Sequence, residues 1–254
     1  MEHSYGEERA EGVIEGRNAV IEALRAGVAI DKVFIAKGET DKTLRHIAST
    51  ARAAGVAVVD ADRRKLDSMS CTHAHQGVIA QAACVEYVTI DDILEVARQR
   101  GEAPLIVLCD EIADPHNLGA IIRTCETAGV HGVIIPKRRS AGLTATVAKA
   151  SSGAVYHIPV ARVANLTSAI TQLKKSGIWV FGASSSGTTS LWESDLTGPA
   201  ALVIGGEGSG ISRLVGENCD FSISIPMFGK IASLNASVSA AIIMYEAVRQ
   251  RTSQ

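Results

Sequence analysis

Short apolar stretches alternate with amphipathic ones along the chain. Runs of four to six apolar residues are typical of buried strands, and apolar positions spaced by three and four residues are typical of helices with one buried face. The predicted strands are 32–36, 56–59, 77–83, 105–109, 132–135, 156–160, 178–182, 200–204 and 221–225. The predicted helices are 16–26, 40–54, 91–100, 116–128, 143–151, 166–175, 212–217 and 234–249. Alternating strands and helices indicate an α/β protein with a parallel sheet.

The pattern divides the chain into two parts. Residues 11–85 form a small α/β unit that is long enough for a core of its own. Residues 86–103 change character, with a short charged helix followed by a break at Gly101-Glu102-Ala103-Pro104. We therefore predict a linker over 86–103 and a second domain over 104–254.

The closing helix carries apolar residues on more than one face. We expect one stripe to face the core, formed by Val238, Ala241, Ile242 and Tyr245. A second stripe is formed by Ala240, Ile243, Met244 and Ala247. The second stripe needs a further partner, and we predict a homodimer through the C-terminal half. The alternative is a helix covered on both sides within one chain.

Composition agrees with a folded protein. The 254 residues are 46% hydrophobic and 20% charged, with a mean hydropathy of +0.17. No apolar run approaches the roughly 20 residues that span a bilayer. Residues 1–12 are polar and acidic rather than apolar, so we expect no secretion signal and a cytoplasmic protein.

Charge alone does not indicate a partner, because the net charge is −2. Two basic runs, Arg63-Arg64-Lys65 and Lys137-Arg138-Arg139, fit either phosphate contacts or solvated loops. The five cysteines are scattered without CxxC spacing, which predicts reduced thiols. His73 and His75 form a lone HxH pattern, which lacks the set of spaced ligands typical of a zinc site, so we expect no metal site.

Three predicted strand ends carry unusual residues, in the segments 110–119, 205–210 and 226–237. Ligands bind at the carboxyl ends of strands in open parallel sheets, so we expect a site where these segments meet. Its candidate polar residues are Asn117, Glu207, Ser233 and Asn235. Asn117 and Ser233 also lie where helices are predicted to begin, so capping is the alternative role.

The glycine-rich segment does not match the common nucleotide-binding patterns. GxGxxG fails because position 211 is Ile and position 213 is Arg, which argues against a nicotinamide-dependent oxidoreductase. Gly206-x-Gly208-x-Gly210 matches the loose GxGxG of Rossmann-like methyltransferases. That loop normally follows the first strand of its domain, whereas only 44 residues follow Gly210.

The three segments resemble a known family. Residues 114–124, 201–211 and 225–239 are similar to the three motifs of the SpoU/TrmH class of RNA ribose 2′-O-methyltransferases, in the same order and spacing. Residues 15–24 and 75–78 resemble the L30e-like RNA-binding domain of its RlmB-type members. Two departures are Ala236, where many relatives have Val, and Phe228, where they have a smaller residue.

This resemblance implies a fold, a cofactor and a substrate. The C-terminal part would be a SPOUT-type parallel sheet with a trefoil knot, joined to a small N-terminal L30e-like α/β domain. The chain would transfer a methyl group from S-adenosylmethionine to a ribose 2′-oxygen, most naturally in a 23S rRNA guanosine. A tRNA guanosine or an rRNA adenosine is the alternative target. An RNA-binding protein without catalysis is a further alternative, but it would be expected to lose Arg123 or Glu207.

The resemblance also implies roles for residues. Arg123 would activate the ribose hydroxyl, either as a general base or as a cation that stabilises the alkoxide. Asn117 would orient Arg123 or the ribose, Glu207 would fix the network through Asn235, and Ser233 would complete it near the cofactor. The residues implied for cofactor binding are Gly205, Gly206, Gly210, Ile225, Met227 and Leu234. No metal is implied.

Overall fold

The computed structural model describes residues 12–38 and 41–252. The strands are β1 (Val13–Glu15), β2 (Ile30–Ala36), β3 (Ala57–Ala61), β4 (Val78–Ala82), β5 (Leu105–Asp110), β6 (Gly132–Pro136), β7 (Val160–Val163), β8 (Trp179–Ala183), β9 (Thr189–Ser190), β10 (Ala200–Gly205) and β11 (Phe221–Ser224). The helices are α1 (Arg17–Arg25), α2 (Lys42–Ala53), α3 (Arg63–Met69), α4 (Ile90–Arg100), α5 (Pro115–Thr127), α6 (Ala145–Ala150), α7 (Leu166–Lys175), α8 (Arg213–Asn218) and α9 (Ala236–Thr252). The predicted helix start at Thr40 and most of the polar N-terminal segment lie outside the described residues.

The chain forms two compact units. The first contains residues 12–38 and 41–86 together with Gly142–Ala145, and the second contains Tyr87–Ala141 and residues 146–252. The predicted linker, 86–103, contains α4, and Ile90 and Ile93 of this helix belong to a core cluster of the second unit. The charged residues that suggested a linker lie on the other face of this amphipathic helix.

The first unit is built on a mixed four-stranded sheet in the order β1-β4-β2-β3. Strand β4 runs antiparallel to β1 and β2, whereas β2 and β3 are parallel. Helices α1 and α2 pack into one apolar cluster with the sheet, and α3 contributes Leu66 to a second cluster. The run Arg63-Arg64-Lys65 lies in the first turn of α3, capped by the Asp62 carboxylate, rather than in a loop.

The second unit contains a parallel seven-stranded sheet in the order β7-β6-β5-β10-β8-β11-β9. All its strand pairs are parallel, which confirms the predicted sheet. β5 and β10 pair along their whole length, from Leu105 opposite Ala200 to Asp110 opposite Gly205. Continuous apolar strands bury both faces of the sheet centre beneath helices.

The strand predicted at 156–160 is wrong in position. Residues Ala154–Tyr156 form a 3₁₀ turn after Gly153, whose φ is 83°, and β7 begins only at Val160. The short elements β1, α3 and β9 carry too few residues for a periodicity and were not predicted.

The closing helix α9 buries the other apolar face from the one predicted to face the core. Ala240, Ile243, Met244 and Ala247 are buried, whereas Val238 and Tyr245 are exposed. Because both stripes are apolar, the periodicity did not determine which of them faces the sheet. The stripe available to a partner is therefore the one that contains Val238 and Tyr245.

In the part of the chain that the structure describes, no helix combines the length and apolar character needed to cross a membrane. The trefoil knot implied by the family resemblance stays a prediction.

Candidate active site

The three unusual segments converge at the carboxyl edge of the second sheet. Asp110 and Gly205, which end β5 and β10, lie opposite each other in neighbouring strands. Successive strands β6 and β7 continue on one side of β5, whereas β10, β8 and β11 lie on the other. This reversal of strand order is the position at which open α/β sheets bind ligands.

A hydrogen-bonded cluster joins one residue from each segment. Asn117 Nδ2 donates to Glu207 Oε1 at 3.1 Å. Asn235 Nδ2 donates to Asn117 Oδ1 at 3.0 Å and also to Glu207 Oε1. The Glu207 carboxylate therefore accepts two amide donors, and we refer to Asn117, Glu207 and Asn235 as the amide–carboxylate cluster.

Asn235 also caps α9. Its Oδ1 accepts from the backbone N–H of Ser237 at 2.9 Å and of Val238 at 3.4 Å. The capping alternative for Asn117 does not hold, because Asp114 caps α5 by accepting from His116 N. Ser233 is exposed, and within residues 12–38 and 41–252 no hydrogen bond joins it to the cluster.

The glycine loop folds back on itself. Gly206 and Gly210 form an isolated β-bridge, in which Gly210 N donates to Gly206 O at 3.0 Å. A Cβ on Gly205 would overlap the backbone of Gly210, and a Cβ on Gly206 would lie 2.5 Å from Glu111 O. The loop therefore needs glycine at 205 and 206 for close backbone packing.

The residues expected to flank the cofactor present a half-open apolar surface. Ile225 is partly buried, and Met227 and Leu234 are 38% and 37% exposed. Gly208 and Gly210 adopt positive φ, and no atom lies within 4 Å of a Cβ on either of them. Open backbone beside apolar side chains suits a purine with its ribose, so these residues fit an adenosyl group.

Arg123 lies on α5 and does not join the amide–carboxylate cluster. Its exposed side chain donates from Nη1 to Ser152 Oγ at 3.1 Å. Asn117, which the resemblance suggests as a partner of Arg123, instead gives its amide to Glu207. Five guanidinium N–H groups are available on arginine, so the Ser152 bond leaves others for a ligand.

Sequence reasoning missed Asp110 and Glu111 at this edge, and it also missed Ser152, the partner of Arg123. The buried Asp110 carboxylate accepts from Ser212 N at 2.7 Å, which ties the end of β5 to the start of α8. Glu111 has a φ of 57° and pairs with Arg139 at 2.9 Å. The available signal for Asp110 was an acidic residue that ends a fully apolar strand; nothing in the sequence singled out Ser152.

The basic run Lys137-Arg138-Arg139 follows β6, and its two arginines line a shallow cavity of about 210 Å³ at the carboxyl ends of β5, β6 and β7. Arg139 is paired with Glu111, so this run is partly neutralised. Among the described residues, no group of three His, Cys, Asp or Glu side chains is arranged to hold a metal ion.

In the first unit, the two segments that carried the N-terminal resemblance lie together. Arg17 N donates to Gln76 Oε1 at 3.2 Å, and Arg17 Nε donates to Gln76 O at 3.1 Å. Arg17 Nη1 also pairs with Asp41 at 2.9 Å, next to the start of α2. The contacts fix the turn at Gln76, which has a φ of 51°.

Comparison with known proteins assigns both units. Residues 104–245 match the SpoU rRNA Methylase family. The chain belongs to this family. Residues 13–88 match the family described as RNA 2′-O ribose methyltransferase substrate binding, so the SpoU methylase region follows a substrate-binding unit.

Relatives extend the SpoU similarity over nearly the whole chain. A Bacillus subtilis protein named as a TrmH family tRNA/rRNA methyltransferase is 47% identical over 93% of this chain and 94% of its own length. The SpoU methyltransferase AviRb from Streptomyces viridochromogenes, solved in complex with AdoMet, is 26% identical, covers 99% of this chain and 95% of its own, and has a TM-score of 0.62. The A. aeolicus TrmH/SpoU tRNA modifying enzyme is 30% identical over 64% of this chain and 84% of its own, with a TM-score of 0.55.

Proposed function

We propose that this chain is an S-adenosylmethionine-dependent RNA methyltransferase that methylates a ribose 2′-oxygen, and that its target is a guanosine in 23S rRNA. The observation that carries the proposal is the amide–carboxylate cluster. It brings Asn117, Glu207 and Asn235 together from segments that are separated by 90 and 28 positions along the chain. These residues match the three motifs of the family, and they meet at the edge of the sheet where ligands bind.

The cofactor would lie against the glycine loop and the segment that leads to α9. The family includes a member solved with AdoMet, and the open backbone here fits an adenosyl group. We assign its binding to Gly205, Gly206, Gly210, Ile225, Met227 and Leu234. When bound, S-adenosylmethionine supplies a methyl group already activated on a sulfonium, so no metal is needed.

The demanding part of the reaction is the ribose hydroxyl. Its pKa is roughly five units above neutral, so forming the alkoxide outright would cost about 7 kcal/mol at 1.36 kcal/mol per unit. Arginine is effectively never deprotonated in proteins, so Arg123 acts as a cation that stabilises the developing oxygen charge. The hydroxyl proton would pass to water as the oxygen–methyl bond forms, and S-adenosylhomocysteine would leave as the sulfur–methyl bond breaks.

The amide–carboxylate cluster serves this chemistry by holding the three segments in one arrangement. Glu207 fixes the amides of Asn117 and Asn235, and Asn235 in turn fixes the start of α9. Ser233, on the exposed segment before α9, would complete the site near the cofactor. Alignment of this kind contributes to the rate because the reacting atoms must lie in line and within contact distance.

The first unit supports rRNA as the substrate class. Residues 13–88 match a substrate-binding family of RNA 2′-O ribose methyltransferases. The tRNA modifying enzyme of A. aeolicus matches only 64% of this chain, whereas a solved rRNA methyltransferase from Sinorhizobium meliloti matches 96%. We assign residues 11–85 to positioning the RNA and residues 104–254 to catalysis. We place the reaction in the cytoplasm.

We also propose that the active form is a homodimer through the outward face of α9. Val238 and Tyr245 on this face are 45% and 49% exposed, which leaves an apolar stripe open to a second copy. An isologous contact through one helix would place two sites next to a shared interface.

Mapping of ribose methylation in total RNA, from cells with and without the gene for this chain, tests the function. We expect one 2′-O-methylguanosine in 23S rRNA to disappear with the gene and to return with the wild-type copy but not with Arg123→Ala. Loss of a tRNA position, or of an adenosine, would replace the proposed target. An unchanged map, together with no methyl transfer by the purified protein to rRNA or tRNA, would overturn the activity.

A further inference from the structure

The partner of Arg123 lies on a tight turn at the end of α6. Arg123 Nη1 donates to Ser152 Oγ at 3.1 Å, across 29 positions of sequence. Ser152 N donates to Lys149 O at 3.0 Å, and Gly153 N donates to Ala148 O at 2.9 Å, so the last turn of the helix holds the backbone of Ser152.

The backbone at Ser152 adopts a conformation that its residue type disfavours. Its φ is 51°, and Gly153 follows with a φ of 83°. Left-handed conformations are unfavourable for L-residues, and glycine or asparagine adopts them more readily than serine does. Serine therefore occupies an unfavourable backbone conformation at a position where its hydroxyl binds Arg123. Strain of this kind often accompanies a functional constraint.

A glycine on α5 allows the turn to come this close. A Cβ on Gly119 would lie 2.5 Å from Ala150 Cβ and 3.0 Å from Ser151 N. Gly119 and Arg123 are four residues apart and share a face of α5. The contact at Gly119 thus brings the end of α6 onto the face from which Arg123 projects.

We propose that Ser152 is a positioning residue for Arg123, which holds the guanidinium in the orientation that the ribose hydroxyl requires. The inference rests on the proposed function and adds a residue to its site. Ser152 touches neither reacting atom; it acts through the hydrogen bond to Nη1. An arginine side chain free to turn would populate this orientation only part of the time, which lowers the rate without changing cofactor affinity.

Three substitutions at Ser152 distinguish the effect of its hydroxyl from the effect of its backbone conformation. Ser152→Ala removes the hydroxyl and keeps the strain, whereas Ser152→Gly removes both. Ser152→Asn tolerates the left-handed conformation and restores a side-chain oxygen that accepts a hydrogen bond. We expect kcat on RNA to fall about tenfold in the Ala and Gly variants and to recover to within about threefold of wild type in the Asn variant.

The remaining measurements test whether a lower kcat comes from a disturbed fold or from weaker cofactor binding. Affinity for S-adenosylhomocysteine, measured by calorimetry, and KM for S-adenosylmethionine should stay within twofold of wild type in all three variants. Thermal stability should be unchanged or raised in Ser152→Gly. Nitrogen-15 relaxation of the Arg123 side chain should show greater mobility in Ser152→Ala than in wild type.

The outcomes distinguish this inference from the function on which it rests. Wild-type kcat in both Ser152→Ala and Ser152→Gly would overturn the positioning role, and so would a Ser152→Gly variant that is as slow as Ser152→Ala but shows no change in Arg123 mobility. Arg123→Ala is measured in parallel. If Arg123→Ala is inactive while the Ser152 variants are not, the proposed function stands and the inference alone fails; a wild-type protein without methyl transfer defeats the function itself.

Discussion

Asn235 caps helix α9 with its side-chain oxygen and binds the Glu207 carboxylate with its side-chain nitrogen. One residue therefore starts the last helix and completes the candidate site. The two roles use different atoms, so they are separable by substitution.

Asn235→Asp is the substitution that separates them. Aspartate caps helices as well as asparagine does, so α9 should remain stable. The new carboxylate would lie against Glu207 in place of the Asn235 amide donor, and like charges at this distance repel. We expect methyl transfer to fall at least thirtyfold with a small change in thermal midpoint.

Asn235→Ala loses both the cap of α9 and the amide that binds Glu207. It should therefore lower the rate of methyl transfer and also the free energy of unfolding, the latter by roughly 1 kcal/mol for the lost cap. Near wild-type activity in Asn235→Asp would show that the cluster does not matter to the reaction.

A matched pair of glycines tests the loop as the cofactor site. Gly205→Ala has no space for its methyl group beside Gly210, so the loop must open. Gly208→Ala has space, and costs only the roughly 1 kcal/mol of a positive φ. We expect Gly205→Ala to abolish binding of S-adenosylhomocysteine in calorimetry and Gly208→Ala to retain it within about tenfold. Equal affinities in the two variants would place the cofactor elsewhere.

Arg123→Ala should stop methyl transfer and leave the fold intact. Arg123 is exposed on α5, so truncation removes no core contact. Circular dichroism and affinity for S-adenosylhomocysteine should match wild type. A residual rate above about a tenth, a loss under ~1.4 kcal/mol, would mean that Arg123 is not the activating group.

His131 gives the second unit a pH-dependent stability. It is buried, accepts from Leu105 N at Nδ1 (2.9 Å) and lies 3.0 Å from Glu102 through Nε2. Burial lowers the pKa of His131 below 6.5, although the nearby Glu102 acts in the opposite direction. The folded state thus binds a proton less readily than the unfolded chain.

Neutral His131 contributes fully to the free energy of unfolding above about pH 6.5. This contribution is lost as the pH falls through the lower pKa that His131 has in the folded state. Below pH 6.5, unfolding free energy should decline by up to ~1.4 kcal/mol per pH unit from this group. Urea titrations at pH 7.5 and pH 5.5 should show a smaller difference in His131→Asn, which keeps an acceptor near the Nδ1 position. The exposed His157→Asn serves as control and should leave the difference unchanged. The same difference in His131→Asn and wild type would assign the effect to another group.

The outward stripe of α9 predicts the oligomeric state. Light scattering of the wild type at micromolar concentration should give a dimer mass. Tyr245→Glu places a charge on the exposed stripe and should yield a monomer, whereas Leu214→Glu, on the exposed face of α8, should not. A monomeric wild type with full activity would contradict the dimer.

The central strands and the polar residues of the site could be predicted from the sequence, because each depends on local information. β5 and β10 are continuous apolar runs, and Glu207 stands out among glycines directly after such a run. The face of α9 could not be predicted, because both of its stripes are apolar and only packing against the sheet selects one. The Arg123–Ser152 bond could not be predicted either, since it depends on how closely α6 approaches α5 at Gly119.

The pairing of β5 with β10 has a consequence for the time course of folding. Leu105 pairs with Ala200, which lies 95 positions further along the chain. Pairings over such a distance form late, because the entropy of closing the intervening chain must be overcome first. Asn117 and Glu207 follow these two strands, so the candidate site should be absent from any early intermediate that contains β5, β6 and β7 alone. In pulse-labelling hydrogen exchange, amides of β10 should gain protection after those of β6, and affinity for the cofactor should appear with the later phase.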